Sequence, residues 1–292
     1  MSTADDPLPD LIRSLRSPQP DTRTRAARAL GRLGWLARDA LPLLAAAVQD
    51  ADARVREAAA QAVGQMGPDA LPELVRMLSH SDKYVRRNAV WALGKLGPLA
   101  RTALGPLCHA LKDPDPRTAS GAAQAIGNMG SDAAEAVPAL TEAMRGTNIV
   151  LCRLAAKALS QVGRPALPEL LAHLRHRDPF VRGEAALALG WMGPPAATAV
   201  PALIDALKPP RPANRLKFAP ATITVTPVTP VTPPPAPGPA AEDSSRAYAA
   251  QALGRIGLAA AAAEPALTAA CDDPCEQVRE SAQLALRQLR TG

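Results

Sequence analysis

Two glycines, three residues apart, close the same run of residues again and again along this chain. Arg56-Glu57-Ala58-Ala59-Ala60-Gln61-Ala62-Val63-Gly64-Gln65-Met66-Gly67 is one copy, and Arg86 to Gly97 and Arg182 to Gly193 are others. Weaker copies end at Gly31/Gly34, Gly127/Gly130, Ser160/Gly163 and Gly254/Gly257, and an eighth ends without glycine at Arg287. The steps between copies are 33, 30, 33, 33, 30, 64 and 33 residues. A unit of this length cannot bury its apolar face alone, so the copies must stack on one another. The expected fold is all-α, a right-handed α-solenoid of about eight helix pairs, a form suited to binding along an extended surface.

Composition fits this architecture. Aromatic residues make up 2 % of the chain and apolar residues 47 %, so the core must be built from Ala, Leu and Val, whose small size lets helices approach closely. The start, Met1-Ser2-Thr3-Ala4-Asp5-Asp6, has neither a basic nor an apolar region of a signal peptide. No run of 18 apolar residues is present, and four cysteines are too few for a disulfide-built domain. These features lead to an expectation of a cytoplasmic monomer with no membrane contact. The net charge is +6, with 27 Arg against 6 Lys. That bias is weak evidence for a nucleic-acid partner.

Each unit carries two helical patterns. The first opens on a small-apolar-Pro signature, as in Ala40-Leu41-Pro42, Ala70-Leu71-Pro72 and Ala166-Leu167-Pro168. Proline suits a first turn, where its missing N–H has no intrahelical partner. A turn rich in Asp and Pro follows, and its Asp can cap the second helix. The closing glycines are expected to form the C-cap and the turn into the next unit. Asp52/Arg56, Asp82/Arg86 and Asp178/Arg182 stand four apart across the turn. They read as a structural ladder linking neighbouring turns, since an acid–base role needs one such pair and not a series.

The 64-residue step contains an insertion. The sequence divides into 1–207 (six repeats and the first helix of a seventh), 208–242 (a Pro- and Thr-rich segment) and 243–292 (the remaining helix and a C-terminal cap). Residues 208–242 hold 11 of the 31 prolines, and Lys208, Arg211, Arg215 and Lys217 precede its first acid, Glu242. Disorder or polyproline II is expected there, serving as a tolerated loop or as a docking arm.

With the Asp-Pro…Val-Arg…Ala-Leu-Gly…Gly pattern in hand, the units resemble HEAT repeats of the phycobilisome-lyase-like kind, over all but about 35 residues. That resemblance implies a scaffold, and a scaffold hosts unrelated functions. Bilin lyases of that family supply no catalytic residue that can be placed here. Deoxyhypusine hydroxylases are also similar as HEAT-type solenoids, and they bind metal through His-Glu dipeptides. Here His80, His109, His173 and His176 are followed by Ser81, Ala110, Leu174 and Arg177, so the motif is missing. The histidines read as exposed helix-end residues. Cys271 and Cys275 flank Asp272-Asp273-Pro274 with no further Cys or His close in sequence, and they read as ordinary small residues. No nucleophile elbow or P-loop is found. No catalytic residue, metal or cofactor is assigned.

Two positions on the second helices avoid the apolar stripe. The first reads Arg28, Gln61, Trp91, Gln124, Lys157, Leu187, Gln251 and Leu284 down the repeats. The second reads Arg32, Gln65, Lys95, Asn128, Gln161, Trp191, Arg255 and Gln288. In HEAT solenoids these helices line the concave face. The rows hold cations, amides and two tryptophans but no carboxylate, whereas a merely solvated face mixes both signs. One reading is a basic groove for a protein or peptide of acidic character, with Trp91 and Trp191 as anchors. The other is that amides keep the surface soluble while the tryptophans fill gaps. A lyase-type or chaperone-like factor acting on a cofactor-bearing protein is the alternative function. A HEAT-type oxidoreductase or a nucleic-acid binder ranks below it, since few aromatics are available to stack on bases.

Overall fold

The computed structural model describes residues 7–209 and 239–291. They divide into two compact units, Met1–Ala166 and Leu167–Gly292. The first unit holds α1 (Pro7–Ser14), α2 (Pro20–Leu33), α3 (Leu41–Ala47), α4 (Ala53–Gln65), α5 (Leu71–Met77), α6 (Lys83–Leu96), α7 (Leu104–Ala110), α8 (Pro116–Asn128), α9 (Val137–Met144) and α10 (Ile149–Val162). The second holds α11 (Leu167–His173), α12 (Pro179–Met192), α13 (Val200–Leu207), α14 (Pro239–Ile256), α15 (Glu264–Ala270) and α16 (Glu276–Thr291). The fold is an all-α solenoid, and the described residues form eight helix pairs, five in the first unit and three in the second. Most of the Pro/Thr-rich segment expected over 208–242 lies outside the described residues. Its last residues, from Pro239 to Glu242, open α14.

The pairs are asymmetric. First helices such as α3 and α5 have 7 residues, and second helices such as α4 and α6 have 13 and 14. Much of the first helical pattern is a 3₁₀ turn, Gly34–Ala40 or Gly97–Ala103, which swings the chain over before the α-helix begins. Proline stands at the second residue of α3, α5, α9 and α13. The second helices begin on side-chain caps. Asp52 accepts from the Arg54 N–H at 2.8 Å, Asp82 from Tyr84 at 2.8 Å, Asp178 from Phe180 at 2.9 Å, and Asn148 from Val150 and Leu151. Each such cap contributes about 1 kcal/mol.

The glycines of a pair do different work. The second of each, Gly34, Gly67, Gly97, Gly130, Gly163, Gly193 and Gly257, has φ between 52 and 80°. At Gly34 and Gly97 ψ is −131 and −127°, a region that side chains block. The first is not a cap but a contact surface. A Cβ on Gly94 would stand 3.3 Å from the Ala125 Cα of the next long helix, and on Gly254 2.8 Å from that of Ala285. The long helices thus pack almost backbone to backbone, and Ala59, Ala62, Val63, Ala89, Leu93, Ala122 and Ile126 are buried around these contacts.

The ladder runs forward, from one repeat to the next, and not within a turn. Arg23 grips Asp50 through Nε and Nη2 at 2.7 and 2.8 Å. Arg56 reaches Asp82 at 2.9 Å, Arg86 reaches Asp113 at 2.7 and 2.9 Å, and Arg182 reaches Glu242. Meanwhile the Nη1 of Arg56 donates to the Asp50 and Ala51 carbonyls of its own turn. Arg86 and Arg182 hold two carbonyls in the same way. The aspartate four residues earlier is turned to its own helix as the N-cap, so the arginine takes the next repeat's acid. Burial works against the Asp82 carboxylate, but the Tyr84 N–H and Arg56 outweigh it and keep its pKa below the ordinary value. The bond from Arg23 lowers that of Asp50 in the same direction.

Candidate functional site

Opposite its apolar stripe, each second helix of the first unit turns two side chains to solvent, one helical turn apart. Arg28 and Arg32 of α2, Gln61 and Gln65 of α4, Trp91 and Lys95 of α6, Gln124 and Asn128 of α8, and Lys157 and Gln161 of α10 are all exposed. In the second unit Trp191 of α12 and Arg255 of α14 are exposed, and Gln251 is half-buried with its amide on the Ser281 hydroxyl at 3.2 Å. Leu187 is not on an open face. It is 7 % exposed, because α12 is apolar nearly all round and buried from Gly183 to Gly190. Leu284 remains exposed.

The amides have a structural use that the sequence did not disclose. Asn128 Nδ2 donates to the Gly94 carbonyl at 3.0 Å, one repeat back. The Oε1 atoms of Gln65, Gln161 and Gln288 lie where Cβ atoms on Gly31, Gly127 and Gly254 would be, 2.6, 2.3 and 2.3 Å from those positions. An amide in the second row therefore covers the bare glycine of the preceding repeat. Arg255 does the same for Gly190, its Cδ 3.5 Å from where a Cβ would stand, and the Trp91 ring edge reaches 3.9 Å from that position at Gly64. These side chains pack in part on the preceding repeat, while the charged end and the indole ring stay exposed.

Cations and a tryptophan come together between α6 and α8, where an open depression of about 340 Å³ is lined by Trp91, Lys95, Arg117, Gln124 and Asn128. Its floor is Val90, Gly94, Gly121 and Ala125, so the depression exists because these positions are small. The Lys95 ammonium sits 4.2 Å from the centroid of the Trp91 ring, which is itself 45 % exposed. Such a contact fixes both side chains while leaving the ring edge and the charge available. Arg87 stands at the rim, held by Asp115 through Nε at 2.8 Å and Nη2 at 2.5 Å, and stacked 5.1 Å over Tyr84. Asp115 accepts in addition from the N–H and hydroxyl of Thr118, and Arg87 above all holds its pKa far below the ordinary carboxylate range. Among the described residues no carboxylate lines the depression itself. Arg117 was missed in the sequence because it sits two turns before Gln124, off both rows.

The other candidates resolve into structure. His173 is buried, not exposed: its Nδ1 lies 2.7 Å from the Glu169 carbonyl, and its ring stacks on His176 at 6.0 Å. His80 and His176 each accept the backbone N–H of the following N-cap aspartate, Asp82 and Asp178. Cys152 is buried and occupies the ladder-arginine position of α10, with its thiol 3.2 Å from the Gly146 carbonyl. Cys271 and Cys275 are half-buried free thiols. Among the described residues no three His, Cys, Asp or Glu side chains group as metal ligands, and no described helix is long and apolar enough to cross a membrane.

The family model for HEAT repeats matches residues 8–80, 51–104, 71–151 and 137–219. No curated protein matches. Among solved structures, an engineered protein is 20 % identical, over 99 % of this chain and 79 % of its own, with a TM-score of 0.48. Human deoxyhypusine hydroxylase in complex with glycerol is 24 % identical, over 98 % and 96 %, with a TM-score of 0.39. Kap121p bound to Pho4p is 16 % identical with a TM-score of 0.67, over 99 % of this chain and 34 % of Kap121p. Only the last likeness is close enough to speak to the fold, and it speaks to the fold alone. With overlapping family matches running from residue 8 to residue 219, the chain belongs to the HEAT-repeat family.

Proposed function

We propose that this protein is a non-enzymatic scaffold, working as a cytoplasmic monomer, that binds an extended acidic segment of another protein along its long helices. The observation that carries the reading is the α6–α8 depression, where an exposed tryptophan, a lysine against its ring and an arginine meet, with no carboxylate among the described residues that line it. A leucine or aromatic side chain of the partner would rest on Trp91. Its carboxylates would meet Lys95 and Arg117, and its backbone the exposed amide of Gln124. Tryptophan and arginine are the residues that most often dominate such interfaces. Trp191 and Arg255, both in the second unit, are a candidate anchor of that unit by itself. Kap121p, part of which has this fold, is bound to Pho4p in its structure, which supports the partner class and nothing finer.

The test is fluorescence anisotropy of a labelled twelve-residue Glu-rich peptide with one central leucine, beside its Lys-rich counterpart. The Glu peptide should bind, the Lys peptide should not, and Trp91→Ala or Lys95→Ala should weaken binding about tenfold or more. Equal binding of both peptides, or no effect of either substitution, would remove the reading. The resemblance to phycobilisome-lyase-like repeats gives the alternative of a factor acting on a cofactor-bearing protein. Visible absorbance of the protein purified from its own cells tests that alternative.

A further inference from the structure

A second charged surface lies on α1 and α2, the first helix pair of the first unit. Arg25, Arg28 and Arg32 follow one another at three and four residues along α2, so they share one face of the helix. All three are exposed, and with Leu11, Ser14 and Thr22 they line an open depression of about 530 Å³. Like charges at this spacing destabilise a helix when nothing offsets them. The neighbouring arginines are offset: Arg23 is held by Asp50, and Arg54 takes Asp21, the single acid of α2, at 2.9 Å. Among the described residues, Arg25, Arg28 and Arg32 have no carboxylate within ion-pair distance. Three guanidinium forks on one face, beside two hydroxyls, suit a ligand with several oxygens and more than one negative charge.

We propose that the α1–α2 end binds a phosphate monoester carried on a protein segment, such as a phosphorylated serine. A phosphate group at neutral pH carries close to two charges and three acceptor oxygens, enough to engage more than one fork at once, which a lone carboxylate is not. A protein carrier is favoured over a nucleic acid because the depression has apolar side chains, Leu11, Ala26 and Ala29, and no aromatic ring on which a base could stack. The choice of a protein carrier rests on the function proposed above, but the phosphate site stands on different residues from the Trp91 depression.

The experiment presents immobilised full-length protein with two degenerate nine-residue peptide pools that differ only in a fixed central residue, phosphoserine or serine. The phosphoserine pool should be retained about tenfold or more over the serine pool, as expected for charge-assisted hydrogen bonds. The preference should disappear in an R28A/R32A variant and be only partly kept in R28K/R32K, where charge remains and the forks do not. These side chains are exposed, and an unchanged melting curve confirms that the variants fold. Equal retention of both pools, or a preference untouched by R28A/R32A, overturns the proposal. A twelve-nucleotide RNA that displaces the phosphoserine pool at lower concentration than a phosphopeptide does would also overturn it, in favour of nucleic acid. Trp91→Ala separates the two readings: it should lower what both pools bind at the Trp91 depression and leave the extra retention of the phosphoserine pool in place, because the two depressions share no residue. If it changes neither pool, the Trp91 groove fails while the phosphate site stands.

Discussion

The clearest energetic consequence concerns Arg87, which joins α6 to α8 at the rim of the depression. In Arg87→Met the apolar stem is kept, and Asp115 loses both bonds from the guanidinium. Removing one partner of a fully buried ion pair costs about 3–5 kcal/mol, because the other charge stays buried without it. Here the Asp115 side chain is 8 % exposed and the Arg87 side chain 22 %, so the cost should fall to about 2–3 kcal/mol. Thr118 still donates to Asp115, so the start of α8 should survive. In a unit spanning Met1–Ala166 this corresponds to a melting temperature lower by about 5–10 °C. The pH dependence carries a second signature. The folded pKa of Asp115 lies below its unfolded value near ~3.9, so its contribution is complete above that value and is lost as pH falls toward the folded pKa. With Arg87 gone, the folded pKa climbs. The gap between wild type and variant should therefore be full at neutral pH and narrow below about pH 4. Urea titrations from neutral to acid pH, followed by circular dichroism, measure both quantities. A loss under about 0.5 kcal/mol, the size of an ordinary surface change, would refute the argument. So would a gap that stays constant into acid.

Other substitutions separate the roles of the paired glycines. Gly94→Ala places its methyl 3.3 Å from the Ala125 Cα, where a small shift relieves it, and gains helix propensity. It should be neutral within about 0.5 kcal/mol in urea unfolding. Gly254→Ala meets the Ala285 Cα at 2.8 Å, backbone that cannot turn away, and should lose about 1–2 kcal/mol net in the same assay. Gly67→Ala has open space around it but a φ of 80°, so its loss of about 1–2 kcal/mol would come from the backbone alone. Asp82→Ala removes an N-cap and the acceptor of Arg56 together. It should cost more than Asp52→Ala, whose carboxylate caps its helix but receives no ladder arginine.

Much of this fold was legible because its signals are local. A proline at a first turn, an aspartate before a helix and a periodic apolar stripe each act within a few residues. The failures occur where a residue answers to the neighbouring repeat. Nothing in Gly64-Gln65-Met66-Gly67 says that one glycine is there for its φ and the other for the Ala92 methyl it faces. The spacing of Asp52 and Arg56 suggests a pair, yet Arg56 lies on the side facing Asp82, 26 residues on. The second-row amides Gln65, Asn128, Gln161 and Gln288 read only as groove residues, because the bare glycines they also cover lie one repeat back. Trp35, the most exposed of the three tryptophans at 67 %, was passed over because it sits in a 3₁₀ turn outside any helical stripe.

The arginines show how one residue type serves two purposes on such a scaffold. Arg23, Arg56, Arg86 and Arg182 occupy the same place in the first turn of their helices, each tied to two carbonyls of its own turn and to an acid of the next repeat. Each of these pairs cancels its own charge and closes on itself, so it offers a ligand little. Arg25, Arg28 and Arg32 on the solvent side of α2 and Arg117 on α8 have no such acids among the described residues, and with Lys95 they line the two depressions. Substituting the first set should change stability and leave ligand charge preference alone, because the pairs contribute almost no net field. Substituting the second should do the reverse. Net charge alone cannot separate the two sets, since what matters is which carboxylates the fold has already spent.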